Sequence, residues 1–418
     1  MTRRTVLAVA ALALVVAAAG WLFAPHFDDA RFLRPIDYME YWCAGRAALT
    51  GQNPYDGAVL YPLQLDIQKH HPQPFGDPIM MWNPPWTLPL AMPLGLAHWR
   101  VGQLVWFTLN ALGFLLAARL LWRVYGGPNS RPWVPVVVAF AFGPTVFQLM
   151  LLNVTGFVYL GLVGFIYLLR KPTDGRPWAL PLAGCLAALT AIKPHLFVPF
   201  AVVLALETLR GQRVWRATVA GGLMLVVFAL IPLLWNPDVW AQYRAATAAE
   251  SSSTHYTTRD WNHPTLGHQL REALPGRPFA ALFLPLAVGV PLVAAYWWAR
   301  RHTWNWTDEL PRLILASLIL TPYGAWGCDL VVLTIPLLQA TAWLANDRRK
   351  PLWAAFGTAF VVLNALAYLR LQDAGSMGNP WITPAVAVGY IIAGLLTKKV
   401  NPESPRAAAR GLGVGVSA

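Results

Sequence analysis

Charged residues are scarce in this 418-residue chain: they make up 12% of it, whereas 56% of the residues are hydrophobic. A soluble globular domain carries about 25% charged residues, so this composition excludes an ordinary soluble protein. Cysteine is also rare. The three cysteines, Cys43, Cys185 and Cys328, lie far apart and match no zinc or redox spacing, so nothing suggests a disulfide framework.

Motifs of soluble nucleotide chemistry and of common hydrolases are missing as well. The chain contains no Walker loop, dinucleotide fingerprint, G-x-S-x-G elbow or H-E-x-x-H pair. What it contains instead is a series of apolar runs long enough to cross a bilayer, with 21 Trp and 35 Pro. Tryptophan collects at membrane interfaces, and proline is tolerated in buried membrane helices. The sequence therefore predicts an all-α, polytopic membrane protein.

Hydropathy predicts about 12 transmembrane helices in one membrane-embedded domain, residues 1–400, followed by a disordered cytoplasmic tail at 401–418. The first run follows two arginines and resembles a signal peptide, but its length and the many later spans favour an uncleaved signal anchor. The expected spans are 5–24, 100–121, 133–151, 154–169, 179–192, 194–208, 217–235, 278–299, 310–322, 329–345, 351–370 and 381–397.

The net charge of +13 reports topology here and not a nucleic-acid partner, because the Lys and Arg residues are spread through short loops between apolar runs. Placing these basic loops in the cytoplasm puts both termini inside and two long loops, 25–99 and 236–277, outside. The expected location is the inner (plasma) membrane, with a site that faces the periplasm or the exterior. Whether 84–97 crosses the membrane is left open, and it is interpreted as a surface helix. The segment 191–197 is either the outer tip of a hairpin or a kink in one long helix.

The first outer loop contains DYMEYWCAGRAALTGQNPYD (37–56), which predicts an amphipathic surface helix. Tyr38 and Trp42 mark one face, toward lipid or the embedded body, and Asp37 and Glu40 share another. Asp37 with Glu40 three residues later also matches a capping box, in which both side chains satisfy N–H groups at the helix start. A capping role lowers the pKa of an aspartate, yet it is compatible with a second role, the acceptance of a proton from a substrate.

Other polar candidates lie in the second outer loop and in short turns. His255, Arg259 and His263 form either a cationic cluster for an anionic group or a hydrated interfacial loop. The spacing of the histidines, His255, His263 and His268, is not that of zinc ligands. Lys193, between two apolar runs, either snorkels to the interface or faces a cavity where it holds a phosphate. The stretch TPYGAWGCDLVVLTIPL (321–337) places polar and aromatic residues at an outer turn.

These motifs together resemble glycosyltransferase family 87, the polyprenyl-phosphomannose-dependent mannosyltransferases, which belong to the C-type membrane glycosyltransferases. The resemblance covers residues 37 to about 337, and the ordered set of motifs is more specific than any one of them. They are DYMEYWCAGRAALTGQNPYD (37–56), WNPPWTLPLAMPLGL (82–96), LNVTGFVYLGLVGF (152–165), IKPHLFVPF (192–200), NHPTLGHQLREAL (262–274) and TPYGAWGCDLVVLTIPL (321–337).

The chain departs from the family pattern in three places. Phe157 follows Gly156 where the family usually has Gly-Gln. Gly327–Cys328–Asp329 stands where a His or Tyr is common, and Asn262–His263–Pro264 replaces an Asn-Gln-Ser element. These departures allow a donor or acceptor preference different from that of a typical member.

The resemblance implies a C-type glycosyltransferase fold with surface helices in the first outer loop. It implies an inverting transfer of a sugar, mannose first, from a polyprenyl-phosphate donor to a hydroxyl of a glycolipid or cell-envelope glycan. The sequence does not indicate a metal or other cofactor. The resemblance assigns Asp37 as general base, with Lys193, His255, Arg259 and His263 as candidates for the departing phosphate. The full set of substrate-binding candidates is Glu40, Tyr41, Asn53, Tyr55, Trp82, Asn83, Lys193, His255, Arg259, Asn262, His263 and Tyr323. Glu40 is also a candidate for a purely structural role.

A transporter or flippase of lipid-linked sugars is the alternative from another class. Such a protein shows inverted repeats and paired broken helices near the middle of the membrane. No repeat is visible in this sequence, and its polar residues concentrate in two outer loops, which favours an enzyme. A family member that has lost activity and serves as a scaffold is a further alternative, against which the presence of Asp37 counts.

Overall fold

The computed structural model describes residues 36–68, 77–170, 176–211, 214–248, 264–347, 349–374 and 380–398. Within these ranges every regular element is a helix, which confirms the all-α prediction. Short 3-10 turns extend or precede several of them. The α-helices are α1 (Ile36–Leu49), α2 (Gly57–Gln68), α3 (Leu88–Gly95), α4 (Trp99–Val124), α5 (Val134–Ala141), α6 (Gly143–Leu151), α7 (Thr155–Arg170), α8 (Ala179–Ala188), α9 (Val198–Leu209), α10 (Trp215–Leu230), α11 (Val239–Ala248), α12 (Leu266–Ala273), α13 (Leu284–Arg300), α14 (Trp306–Leu320), α15 (Thr334–Asn346), α16 (Lys350–Ala374) and α17 (Ile382–Lys398).

The apolar runs of the sequence coincide with these helices. In the described part of the chain, five helical segments are long and apolar enough to cross a membrane, and α5 with α6 makes a sixth if the bent pair is one span. Four shorter apolar helices accompany them. The prediction of a polytopic membrane protein is thus confirmed. The number of about 12 spans stays a prediction, because the first expected span, 5–24, and the tail 401–418 lie outside the described residues.

The span expected at 133–151 is broken in the middle. The axes of α5 and α6 differ by 63° at Phe142. Pro144 has no N–H to give to a carbonyl of the preceding turn, so a continuous helix is disfavoured there. The N–H of Gly143 is satisfied from another helix, since it donates to Asn364 Oδ1 of α16 at 2.6 Å. The break aims α6 toward the end of the bundle where the polar turns lie.

The basic connections between helices lie at the end of the bundle opposite to the polar turns. The Arg170 guanidinium, at the end of α7, donates to the carbonyl of Arg123, at the end of α4. The Arg210 guanidinium, after α9, donates to the carbonyl of Arg301, after α13. Each of these contacts joins two cation-rich helix ends, so the bundle has one basic end and one end that carries the candidate site.

Helix α1 is buried on both faces, which differs from the amphipathic surface helix expected. The Tyr38 hydroxyl donates to the Trp99 carbonyl at 2.8 Å, and the Trp42 indole donates to the Ala97 carbonyl at 3.1 Å. Its other face, which includes the fully buried Ala44, is covered as well. Small residues let neighbouring backbone approach, so α1 is wedged between α3 and the main bundle.

The stretch 84–97 forms a 3-10 turn and α3, which has only 8 residues. At about 1.5 Å per residue α3 is about 12 Å long, far short of the roughly 30 Å hydrocarbon core. It packs along α1, and Gly45 of α1 faces the Ala91 carbonyl so closely that a Cβ on Gly45 would lie 2.3 Å from that oxygen. The geometry agrees with the interpretation that this stretch does not cross the membrane.

The alternative left open at 191–197 is decided by the direction of the neighbouring helices. Gly184 of α8 lies against Ala217 of α10, and Ala188 lies against Gly221. The second contact lies four residues further along α8 and also four residues further along α10, so the two helices run parallel. Because α9 joins them, the chain must reverse at both ends of α9. The segment around Lys193 is therefore a hairpin tip and not a kink in one long helix.

Two adjacent glycines of α10 give a matched test of this packing. A Cβ on Gly221 would lie 2.6 Å from the Gly184 carbonyl oxygen, whereas a Cβ on Gly222 meets nothing within 4 Å. Alanine gains about 1 kcal/mol of helix propensity over glycine, but overpacking costs about 1–3 kcal/mol. We expect Gly221→Ala to lower the melting temperature of the purified protein and Gly222→Ala to leave it unchanged or raise it. Equal melting temperatures for the two variants would contradict the close α8–α10 contact.

Candidate active site

The Asp37 carboxylate is fixed by a residue from another part of the chain. Asp37 lies half-buried in the first turn of α1, and Asn153 Nδ2 donates to Asp37 Oδ2 at 2.5 Å. Asn153 follows Leu152, whose φ of 56° ends α6 in the left-handed conformation. Asn153 Oδ1 accepts from the Thr155 amide at 2.9 Å, so the donating end of the carboxamide faces Asp37. Among the described residues none donates to Asp37 Oδ1.

The capping-box interpretation of Asp37 is wrong. Helix α1 begins at Ile36, so Asp37 follows the helix start, and its hydrogen bond comes from the α6–α7 turn instead. The expected lowering of its pKa is wrong too. Burial raises the pKa of Asp37 to about 6, against the opposing effects of the Asn153 hydrogen bond and the Lys193 charge. Asp37 is therefore ionised at neutral pH and a stronger base than a free aspartate.

Lys193 is buried and paired, so the snorkelling interpretation is wrong. Its Nζ lies 2.6 Å from Asp329 Oδ1, and the Asp329 side chain is completely buried. Lys193 occupies the break between two 3-10 turns, with φ −128° and ψ 69°, which turns its side chain into the bundle. Burial alone lowers the pKa of a lysine, but the surrounding negative groups, Asp329 first, outweigh it and raise the pKa of Lys193. The ammonium thus stays charged.

A continuous line of hydrogen bonds connects the two charged groups. Thr155 Oγ1 lies 2.7 Å from Asn153 Oδ1 and 2.6 Å from Asp329 Oδ1. A hydroxyl has one proton, and an ionised carboxylate is a stronger acceptor than a carboxamide oxygen, so the Thr155 proton goes to Asp329. The Thr155 amide N–H, which donates to Asn153 Oδ1, continues the line to Asn153. The order of the line is Asp37, Asn153, Thr155, Asp329 and Lys193. It brings the start of α1, the α6–α7 turn, the α8–α9 turn and the start of α15 to one place.

Three residues predicted to bind substrate brace the turn that carries Lys193. Asn83 Nδ2 donates to the Ile192 carbonyl at 3.0 Å. The Tyr55 hydroxyl donates to the Asn83 carbonyl at 3.0 Å, and Asn53 Oδ1 accepts from the Tyr55 amide at 2.9 Å. These polar groups are already used inside the protein, so the geometry gives them a positioning role. Direct substrate contact by them stays a prediction.

Aromatic rings border the same region. Tyr323 is half-buried and stacks on the ring of His195, with 4.4 Å between centroids. Trp82 is half-buried and packs against the core. Tyr41 is buried and stacks against Trp106 at 6.1 Å. The half-buried rings remain candidates for substrate contact, whereas the Tyr41 ring is covered.

Glu40 lies near Asp37 in the same helix. Burial raises the pKa of Glu40 well above its usual range, and the negative charge of Asp37 raises it further. Of two neighbouring carboxyl groups, the one that holds its proton more tightly allows the other to ionise. This arrangement favours a protonated Glu40 beside an ionised Asp37.

The remaining predicted residues, His255, Arg259, Asn262 and His263, lie outside the described residues. Within the ranges that the structure does describe, no group of three or more His, Cys, Asp or Glu side chains is arranged to hold a metal ion.

Sequence reasoning missed Asn153, Thr155 and the pairing of Asp329. A signal existed for Asn153, because an Asn side chain commonly accepts a hydrogen bond from the backbone N–H two residues on in a turn. An aspartate between two apolar runs, such as Asp329, also requires a partner. The sequence does not show that Asn153 binds Asp37, which is 116 positions away, or that Asp329 binds Lys193, which is 136 positions away.

The fold and the site define a class of protein: a polytopic membrane protein whose base candidate and buried cation share one end of a helix bundle. The sequence pattern of glycosyltransferase family 87 matches residues 82–322. An alpha-(1->3)-arabinofuranosyltransferase of Mycolicibacterium smegmatis is 28% identical over 313 residues, which cover 72% of this chain and 68% of the relative. No solved structure matches the chain significantly. The chain belongs to glycosyltransferase family 87.

The raised pKa of Asp37 has a consequence for stability. The folded state binds a proton more tightly than the unfolded chain, so the contribution of this group falls as pH rises from 3.8 through about 6. We expect Asp37→Asn to raise the melting temperature at pH 7.5 and to leave it nearly unchanged at pH 4. Thermal melting of the detergent-purified protein at both pH values checks this. A variant that melts lower than the wild type at pH 7.5 would show that the ionised carboxylate stabilises the fold.

Proposed function

We propose that this chain is an inverting membrane glycosyltransferase that moves a sugar from a polyprenyl-phosphate donor to a hydroxyl of a glycolipid or cell-envelope glycan on the outer face of the membrane. The observation that carries the proposal is the line from Asp37 to Lys193, which fixes one carboxylate and one ammonium at the same end of the bundle. Family membership supplies the reaction class.

The two charged groups have complementary tasks in a single displacement. The acceptor hydroxyl oxygen attacks the anomeric carbon from the face opposite the phosphate, and the carbon–oxygen bond to the phosphate breaks. Asp37 Oδ1 takes the hydroxyl proton, and the polyprenyl phosphate leaves with the bonding electron pair. Lys193 offsets the negative charge that develops on the departing phosphate oxygen. Inversion at the anomeric carbon follows from the single attack.

A lipid-borne donor suits the position of this site. Lys193 lies at a hairpin tip between apolar helices, so a phosphate bound there is attached to a chain that stays in the bilayer. The sequence has no motif for a soluble nucleotide sugar. The lipid bilayer, the polyprenyl-phosphate donor and the glycan acceptor are thus the proposed partners.

The donor sugar is proposed to be mannose, on the resemblance to the polyprenyl-phosphomannose enzymes. The Mycolicibacterium smegmatis relative is named for arabinofuranose, so a polyprenyl-phosphoarabinofuranose donor is the competing choice. Both donors have the same phosphate and lipid, and they differ only in the sugar ring. A transport role for lipid-linked sugars receives less support, since the described residues contain one broken helix pair and not two related ones.

The transfer reaction is tested with membranes that contain the protein, labelled polyprenyl-phosphomannose or polyprenyl-phosphoarabinofuranose, and envelope glycolipids. We expect the wild type to transfer one of the two sugars. Asp37→Asn should reduce the rate about 100-fold or more, because it removes the general base.

Asp238→Asn is the matched control, since Asp238 is an exposed carboxylate before α11 and should keep full activity. Equal rates for the two variants would remove Asp37 from the role of base. Movement of label across the bilayer without transfer would favour the transporter.

The orientation is proposed from the basic end of the bundle, which the positive-inside rule places in the cytoplasm. Alkaline phosphatase, active only outside the cytoplasm, is joined after Gly126 in one fusion protein and after Ala248 in another. We expect low phosphatase activity for the fusion at Gly126 and high activity for the fusion at Ala248, where the chain enters the second outer loop. The reverse pattern would place the site on the cytoplasmic side.

A further inference from the structure

Asp329 is a completely buried carboxylate that receives three donors. Lys193 Nζ and Thr155 Oγ1 each lie 2.6 Å from its Oδ1, and the Trp326 amide donates to its Oδ2 at 3.0 Å. Two of the donors are neutral and come from the α7 start and from its own turn, so they fix Asp329 independently of Lys193. Asp329 also stands in one of the three places where the chain departs from the family pattern.

We propose that Asp329 is a positioning residue for the donor phosphate: it holds Lys193 charged and in place, so that the two remaining N–H groups of the ammonium bind the phosphate of the polyprenyl donor. The proposal rests on the proposed function, in which Lys193 is the phosphate ligand. It adds that this ligand depends on a specific carboxylate which does not itself touch the substrate.

Lys193 is buried and therefore needs a partner for its charge. An ammonium surrounded by apolar helices loses its hydration, and its neutral form is favoured unless a carboxylate lies beside it. Asp329 is the described group within bonding distance of Lys193 Nζ. An ammonium has three N–H donors, and this contact uses one of them. The two others remain for a phosphate.

Other ionisable groups near Lys193 do not replace Asp329. Asp37 and Glu40 approach from α1, and Cys328 approaches from the turn before α15; each affects Lys193 or is affected by it through charge alone. Glu40 favours its neutral form, and Asp37 is engaged by Asn153. With Asp329 neutralised, one carboxylate at greater distance is left to balance the ammonium, and Lys193 should lose its proton at a lower pH.

The test is the pH dependence of phosphate binding in the full-length protein in nanodiscs. The probe is farnesyl phosphate, a short polyprenyl phosphate that is a dianion throughout pH 7.5–9.5, because its second pKa is about 6. Binding is measured by titration calorimetry. We expect the wild-type affinity to stay nearly constant over this range. For Asp329→Asn we expect at least a tenfold loss between pH 7.5 and pH 9.5, as Lys193 becomes neutral.

A second variant separates charge from shape. Arginine cannot be deprotonated in this range, so Asp329→Asn combined with Lys193→Arg should bind with a pH-independent affinity again. A pH-independent Asp329→Asn single variant, in a series where the wild type binds the probe, would overturn the role of Asp329 and leave the proposed function standing. No binding by the wild type would overturn the phosphate role of Lys193 itself, and this inference with it.

Whether the Asp329→Asn variant folds is itself informative. If Asp329→Asn fails to fold, Asp329→Asn with Lys193→Met is prepared, which removes both charges. Folding of this double variant alone would support the inference, because it shows that the Lys193 charge is tolerated only beside Asp329. Failure of both variants would show that Asp329 is required for packing, which overturns the positioning role.

Discussion

A buried ammonium beside a buried carboxylate is the interaction on which the site depends. Breaking such a pair by removal of one partner costs about 3–5 kcal/mol, because the other charge is left without water or a counter-ion. Lys193 and Asp329 belong to turns 136 residues apart. Their pairing therefore requires that the α8–α9 turn and the start of α15 meet at one level of the bundle. Thr155 lies at the same level, where its hydroxyl donates to Asp329.

The helix packing meets this requirement through close backbone contacts. Parallel α8 and α10 approach at Gly184 and Gly221, which fixes α8 so that the α8–α9 hairpin places Lys193 inward. Helix α1 approaches α3 at Gly45 and is held by hydrogen bonds from Tyr38 and Trp42. Asp37 is therefore set by the same kind of contact as Lys193, although it lies in a loop helix and not in a span.

Hydropathy alone predicted most of the helices, since each apolar run from residue 100 onward corresponds to a helix or to a broken pair. The sequence also singled out Lys193, as a charge between two apolar runs, and Asp37, as the acidic residue that opens the first outer loop in the family resemblance. The interactions predicted for these two side chains, capping for Asp37 and snorkelling for Lys193, are wrong. Capping and snorkelling are local explanations, and local sequence favours them. The actual partners, Asn153 and Asp329, are distant in sequence, and only the packing of the turns brings them to these charges.

Asp37 and Lys193 also affect each other's pKa through their opposite charges. Burial raises the pKa of Asp37 to about 6, and the Lys193 charge and the Asn153 hydrogen bond keep it from rising further. A carboxylate with this pKa is ionised at neutral pH and still accepts a proton more readily than a free aspartate. A donor phosphate on Lys193 would cancel part of the positive charge that Asp37 experiences. In the proposed reaction its pKa would then rise further once the donor is bound, and Asp37 would take the acceptor proton more readily. The line through Asn153, Thr155 and Asp329 holds both groups in place, and the Lys193 charge lowers the pKa of Asp37.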